Sequence, residues 1–343
     1  MRILVGTETH FEGNGGPYYA ISNKLKYLYK NHVKFKLIFQ KTDGYDYSLN
    51  FNEIVEDFDI VHIYGLWRPF ILKLYSAAKK QNKKIILSPL GGLEPWAMNQ
   101  KKFKKLIGFW LYQKKILNSC DIIHATSAIE ELNIKKLGIN SKSIIIPHGI
   151  DFINLEKKKE QNNIKKAIFF SRIHEKKGLL ELIETWSELN PKNWILEVYG
   201  PVSNFSYLNQ VKKTIRILNL ESQIKIFDPI YKSELKRKVF LSANCFLLPS
   251  KSENFGISIG EALAHGLPVL TTTATPWSEI EEYNAGKVFK MNKDNLKENL
   301  GIFLSYSTNE LEIMGSNGKK LIDEKYNHDL IIKKYIKMYE SLM

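Results

Sequence analysis

Residues 245–272 read CFLLPSKSENFGISIGEALAHGLPVLTT. The stretch divides into a strand (CFLLPS), a loop (SENFG), a helix closed by Gly266 (ISIGEALAHG) and a second strand (PVLTT). Strands joined through a helix pair in parallel, and strands apolar along their whole length belong to a sheet covered on both faces. Two carboxylates, Glu253 and Glu261, stand in this apolar setting with seven residues between them. Carboxylates are rarely buried unless something satisfies them. A polyhydroxylated ligand would satisfy both.

The same alternation runs through the chain. RILVG (2–6), KFKLIF (34–39), IVHIYG (60–65), KIILSP (84–89), DIIHATS (121–127) and SIIIPHG (143–149) are short, mostly β-branched runs. Helical patterns separate them, among them 18–31, 70–80 and 100–119. A polar break, EKKKEQNNIKK (156–166), has the composition of a linker. The alternation restarts with AIFFS (167–171), WILEVYG (194–200), IKIFD (224–228), CFLLPS, PVLTT and KVF (287–289). The expected fold class is α/β, with two Rossmann-like domains, 1–152 and 164–327, facing across a cleft. The last helical segment, 328–343, is expected to pack back on the first domain. In open α/β sheets ligands bind at the carboxyl ends of the strands, so the loops after each strand should carry the chemistry.

A chain of 343 residues fits two domains. Its two cysteines, Cys120 and Cys245, suit neither a disulfide framework nor a metal site and point to a reducing compartment. MRILVGTETHF reads as a buried strand and not as a signal peptide, and no window is long and apolar enough to span a bilayer. The expected location is cytoplasmic. The net charge is +14, and residues 1–150 carry 22 Lys+Arg against 12 Asp+Glu. That surplus fits either an anionic partner for the first half or a general bias toward lysine.

Three loops stand out. GNGGP (13–17) follows the first strand and opens a helix, where glycines let backbone N–H groups approach an anion. It is not G-x-G-x-x-G, and no acidic residue closes a second strand, which argues against a dinucleotide. SRIHEKKGL (171–179) sets Arg172 and Lys177 before a helix opened by Gly178, an arrangement suited to a diphosphate. In SENFG the backbone N–H groups beside Gly256 can take phosphate oxygens.

The pattern S-R-x-x-x-x-K-G, followed by P-S-x-x-E-x-F-G-x-x-x-x-E-A-x-A-x-G-x-P-V, resembles the retaining GT-B glycosyltransferases with an E-x7-E motif, of the group 1 or family 4 type. The resemblance is to the bacterial lipopolysaccharide, capsule and exopolysaccharide branch. HIYGLWRP (62–69), SPLGGLEPWA (88–97) and PHGID (147–151) extend it over nearly the whole chain. It implies that Arg172 and Lys177 neutralise a donor diphosphate, Glu253 meets the donor sugar and Glu261 the ribose. The amides from Phe255 through Gly256 and Ile257 to Ser258 would touch the phosphates, with Asn254 in the same loop. Gly15 and Gly16 would approach from the other domain. It implies transfer from a nucleoside-diphosphate sugar, uridine by default, to a polyprenyl-diphosphate-linked or growing glycan, with no metal and no other cofactor.

One position departs from the pattern. Members often carry a histidine in the loop after the strand read here as KIILSP, and this chain has Leu90. His10, Glu94 and His148 are the candidates left on the acceptor side, while His62 and His124 alternate within apolar strands as packed residues would. A D-x-D, Asp57-Phe-Asp59, precedes a strand and so belongs at the amino end, away from the site.

Residues 100–117, QKKFKKLIGFWLYQKKIL, mix lysines with aromatics, and Phe103, Leu106, Ile107, Trp110 and Leu117 would share one face of a continuous helix over 98–118. Such a helix either lies on an anionic membrane or packs on the core with a solvated lysine face. A nucleotide-sugar 2-epimerase of the same fold is the alternative enzyme. Nucleic acid is not an expected partner, since the chain shows neither a helix-turn-helix nor an aromatic-interleaved basic stripe.

Overall fold

A computed structural model describes residues 1–8, 16–39, 50–151 and 164–343. The chain divides into two units, Met1–Gly149 with His328–Met343, and Ile150–Asn327. His10, Gly15 and most of the polar break at 156–166 lie outside the described residues.

The first unit is built on β1 (Arg2–Thr7), β2 (Lys34–Phe39), β3 (Ile60–Tyr64), β4 (Lys84–Ser88), β5 (Ile122–Ala125) and β6 (Ser143–Ile145). All pair in parallel, in the order β2-β1-β3-β4-β5-β6. Successive side chains of a strand point to opposite faces, and the core divides accordingly. Leu4, Val61, Ile63, Ile85, Leu87 and Ile123 join one apolar cluster. Ile3, Val5, Ile60, Tyr64, Ile86 and Ile122 join the other. The second face is covered by the helices Gly16–Lys30 and His328–Glu340, through Ile21, Leu28, Ile331, Tyr335 and Tyr339.

The second unit carries β7 (Lys165–Phe170), β8 (Trp194–Tyr199), β9 (Ile224–Phe227), β10 (Cys245–Leu248), β11 (Val269–Thr272) and β12 (Gly286–Phe289). It too is all parallel, in the order β12-β11-β10-β7-β8-β9. Lys165 and Lys166, at the end of the polar break, begin β7. Both sheets are thus doubly wound α/β, and each has one point where the strand order reverses. In the first sheet this is between β1 and β3. In the second it is between β7 and β10.

The continuous helix expected over 98–118 is not formed. A helix Pro95–Asn99 ends at Gln100, and Lys101 takes a left-handed conformation before the helix Lys102–Gly108 begins. A π-helical turn, Phe109–Gln113, then leads into the helix Lys114–Asn118. A π turn holds one residue more than an α turn and so rotates everything after it by roughly a quarter turn. Leu117 is therefore carried to the inner side and is fully buried, while Phe103 is 82% and Trp110 63% exposed. The segment does pack on the core with its lysines in solvent, but through Phe109, Ile116 and Leu117, while most of the expected apolar face is exposed.

Candidate active site

Lys177 and Glu253 meet where the second sheet reverses its strand order. Lys177 ends a short 3-10 turn, Glu175–Lys177, in the loop after β7, and Glu253 lies in the loop after β10. The Lys177 Nζ donates to Glu253 Oε1, and both side chains are buried. Ser250 Oγ donates to the same carboxylate oxygen at 3.1 Å.

Local geometry explains why these loops touch. Gly178, at φ +72°, caps the 3-10 turn and opens the helix Leu179–Leu189. A Cβ there would lie 2.2 Å from the Pro249 carbonyl oxygen, so only glycine lets the β7 loop pass this close to the β10 loop. Lys251 N donates to the Lys176 carbonyl at 2.8 Å, and Glu253 N donates to the Ala274 carbonyl at 3.0 Å. Three loops are thereby tied into one carboxyl edge.

The ion pair sets the charge state of its members. Burial raises the Glu253 carboxyl, but the charge and hydrogen bond of Lys177, with Lys176 and Ser250, outweigh it and hold the group below the usual carboxylate range. Burial lowers the Lys177 ammonium, and Glu253 offsets part of that. Glu253 is therefore an anion and an acceptor. Nearby, burial and then the charges of Arg172, Lys177 and Lys176 depress the His174 imidazole, so the loop carries a positive potential. Arg172 is exposed at its rim.

The segment after Glu253 presents a helix N-terminus. Gly256, at φ +80°, precedes the helix Ile257–Ala264. Phe255 is anchored in the core against Trp277, whose Nε1 donates to the Phe255 carbonyl at 2.5 Å. That contact fixes the backbone leading to Ile257 and Ser258, both half-buried, whose N–H groups belong to the first turn with no intrahelical acceptor. Asn254 is likewise half-buried in the loop. Glu261 lies one turn further along the helix and accepts from Lys236 Nζ at 2.5 Å. Lys236, on the helix Ser233–Ser242, carries no signal in the sequence, because nothing in its own helix marks a lysine that reaches across to Glu261.

The first unit places its own residues at the carboxyl edge of its sheet. Arg68 Nε pairs with Glu8 Oε1 at 2.7 Å, joining the ends of β1 and β3 at the reversal of strand order. Burial holds the Glu8 carboxyl above its usual range against the pull of Arg68. Sequence reasoning missed both residues. Glu94 is buried and precedes the helix Pro95–Asn99, in a loop where Leu90 has φ +51°. Near it, Glu130 accepts from Gly91 N and Thr126 N, both at 2.7 Å. Ser127 caps the helix Ala128–Lys136, its Oγ accepting from Glu130 N at 3.1 Å, while the Glu130 side chain turns to the β4 loop and Thr126. Gly16 is the first residue of the helix Gly16–Lys30.

His148 lines a small cavity inside the first unit with Lys24, His328 and Tyr335, and burial first, then His124, Lys24 and His328, lower its imidazole to about 3. Below it runs a buried network. Lys24 Nζ donates to the Tyr64 hydroxyl. His62 bonds the Tyr339 hydroxyl and Ser88 Oγ, both at 2.8 Å, and Ser88 Oγ reaches His124 Nδ1 at 2.6 Å. His62 and His124 are fully buried packing residues that hold the C-terminal helix to the sheet. Asp57 and Asp59 pair with Arg2 and the N-terminal amine at the amino end of the first sheet.

Two doubly wound parallel sheets on one chain, with a cationic and carboxylate-bearing edge, define the GT-B class. Residues 17–152 match the family described as Glycosyltransferase Family 4, and residues 152–321 match Glycosyl transferases group 1. The chain is a glycosyltransferase of the GT-B type. It is 22% identical to an uncharacterized glycosyltransferase of Haemophilus influenzae over 96% of this chain and 90% of that protein. An uncharacterized 41.2 kDa protein in the cps region of Klebsiella pneumoniae is 21% identical over 83% of this chain and 79% of its own. An uncharacterized glycosyltransferase of Methanocaldococcus jannaschii is 27% identical over 53% of this chain, which spans about half, 46%, of that relative's length. Among solved structures, Anabaena HepE in complex with UDP-glucose superposes with a TM-score of 0.79 over 99% of this chain and 100% of that one, at 16% identity.

Proposed function

We propose that this chain is a retaining, metal-independent glycosyltransferase that moves a sugar from a nucleoside-diphosphate sugar to a lipid-linked or growing glycan of a bacterial surface polysaccharide. The observation that carries the reading is the buried Lys177–Glu253 pair at the strand reversal of the second sheet. A doubly wound sheet binds its ligand at that point. The pair offers a cation for a phosphate and a carboxylate for sugar hydroxyls within one contact. The UDP-glucose held by HepE and the cps-region setting of the Klebsiella relative favour the same donor and pathway classes.

In this reading the anomeric C–O bond breaks and its electrons pass to the diphosphate oxygen. Arg172, Lys177 and the N–H groups of the helix opened by Gly256 lie where that negative charge grows, and such preorganised donors are the largest common source of rate. These cations supply the countercharge that a metal provides elsewhere. Glu253 accepts from the hydroxyls of the sugar, and Glu261 from those of the ribose, exchanging its present partner Lys236 for the ligand. The acceptor oxygen attacks from the face the diphosphate leaves, its proton passing to the departing phosphate, so the anomeric configuration is kept. The Glu8–Arg68 pair, Glu94 and His148 are the acceptor-side groups of the first unit. The test is turnover of nucleotide sugars with a lipid-linked oligosaccharide in the presence of a chelator. The product should carry the donor's anomeric configuration by NMR. An inverted product, or loss of activity on chelation, contradicts the reading.

A further inference from the structure

The segment 102–118 has two apolar sides, and only one of them is used by the fold. Toward the core it buries Phe109, Gln113, Ile116 and Leu117. Toward solvent it presents Phe103 (82% exposed), Leu106 (46%), Ile107 (61%), Trp110 (63%) and Leu111 (75%) on successive turns. Scattered exposed apolar residues need no explanation, but five on one stripe are an unpartnered surface.

The charge around the stripe says what covers it. Lys101, Lys102, Lys104 and Lys115 are exposed, and no Asp or Glu occurs between Glu94 and Asp121. Lys114 Nζ sits 4.5 Å over the Trp110 ring. A second copy docking here about a two-fold axis would set these lysines against their own counterparts, since such an interface meets itself. A surface that accepts apolar side chains while offering anions at their rim is the headgroup region of a bilayer. We infer that this stripe seats the first unit on an anionic lipid surface, with Phe103, Ile107, Trp110 and Leu111 in the acyl boundary and the lysines among the headgroups.

The seat is tied to the carboxyl edge of the same sheet. Gln113 Oε1 accepts from Trp67 N at 3.3 Å in the loop after β3, and Lys105 Nζ donates to the Ala97 carbonyl at 2.6 Å in the helix that follows Glu94. A bilayer bound here lies beside the loops assigned to the acceptor. The inference rests on exposure and charge and stands whether or not the donor assignment holds.

Vesicle flotation tests it with the whole chain. The probes are vesicles of phosphatidylcholine with phosphatidylglycerol and vesicles of phosphatidylcholine alone. The wild type should float with the anionic vesicles only, and salt should weaken that binding. A Phe103→Ser/Trp110→Ser/Leu111→Ser variant should lose at least about tenfold in partitioning. A Lys101→Gln/Lys102→Gln/Lys104→Gln variant should lose roughly fivefold per lysine. Both sets are exposed, so unchanged thermal melts will show that the fold is intact. No flotation of the wild type, equal flotation of either variant, or a dimer that the serine variant dissolves without any vesicle binding would overturn the inference.

Discussion

Lys177 and Glu253 stand 76 residues apart in the chain and form a buried ion pair between the loops of neighbouring strands. Removing one partner of such a pair leaves an uncompensated buried charge and costs about 3–5 kcal/mol. Lys177→Ala in the ligand-free protein should therefore lower the melting temperature by roughly 10 °C for a unit of this size. A Lys177→Met/Glu253→Gln double variant should recover most of that loss. A double variant as unstable as the single one would mean that the pair is not what Lys177 contributes.

The glycines of the site differ in how tightly they are held. Gly178→Ala places a Cβ 2.2 Å from a backbone oxygen at φ +72°, whereas at Gly256 the nearest atom is a side-chain carbon at 3.1 Å. Left-handed backbone alone costs an alanine about 1–2 kcal/mol. Gly256→Ala should cost about that much in urea unfolding, and Gly178→Ala clearly more. Equal costs would contradict the close approach of the two loops.

Acid should loosen the first unit. Burial lowers His62 well below its ordinary value and His124 to about 4. A histidine with a depressed folded pKa binds more protons when unfolded, so its contribution is complete above about pH 6.5 and is lost as pH falls toward 4. Each such group costs up to about 1.4 kcal/mol per pH unit in that window. Glu130, whose carboxyl burial raises, acts in the opposite sense, so the comparison is with His124→Gln. Denaturation between pH 7.5 and 5 should show a shallower loss in the variant. Equal slopes would mean that His124 is not buried neutral.

Arg68 is 63% exposed and pairs with Glu8 at the strand reversal of the first sheet. Arg68→Gln should change stability by less than about 0.5 kcal/mol, as exposed substitutions do. In transfer assays it should raise the acceptor KM and leave donor affinity unchanged. A raised donor Kd would move this pair out of the acceptor side.

The carboxyl edge of the second sheet was readable in the sequence because its signals are local. Strand, glycine and helix follow one another in 245–272, and the carboxylates and cations fall in loops that the βα alternation places at one sheet edge. What escaped reading lies in partners distant along the chain. Lys24 meets Tyr64 and Tyr339, Arg68 meets Glu8, and Lys236 meets Glu261, and no spacing rule announces such contacts. At 98–118 a uniform helical period fails for a different reason. A left-handed Lys101 breaks the helix before the stripe begins, and one π turn shifts the phase within it by roughly a quarter turn, which carries Leu117 to the inner side.

The central claim is that Lys177, Glu253 and Glu261 hold a nucleoside-diphosphate sugar. Thermal-shift titration across uridine, guanosine, adenosine, thymidine and cytidine diphosphates and their sugars tests it most directly. One base series should stabilise the wild type, by about 2.7 kcal/mol at a hundredfold excess over Kd. Lys177→Ala should weaken diphosphate and sugar nucleotide alike, Glu253→Gln only the sugar nucleotide, and Glu261→Ala both. No stabilisation by any of them, or wild-type affinity in all three variants, would contradict the account.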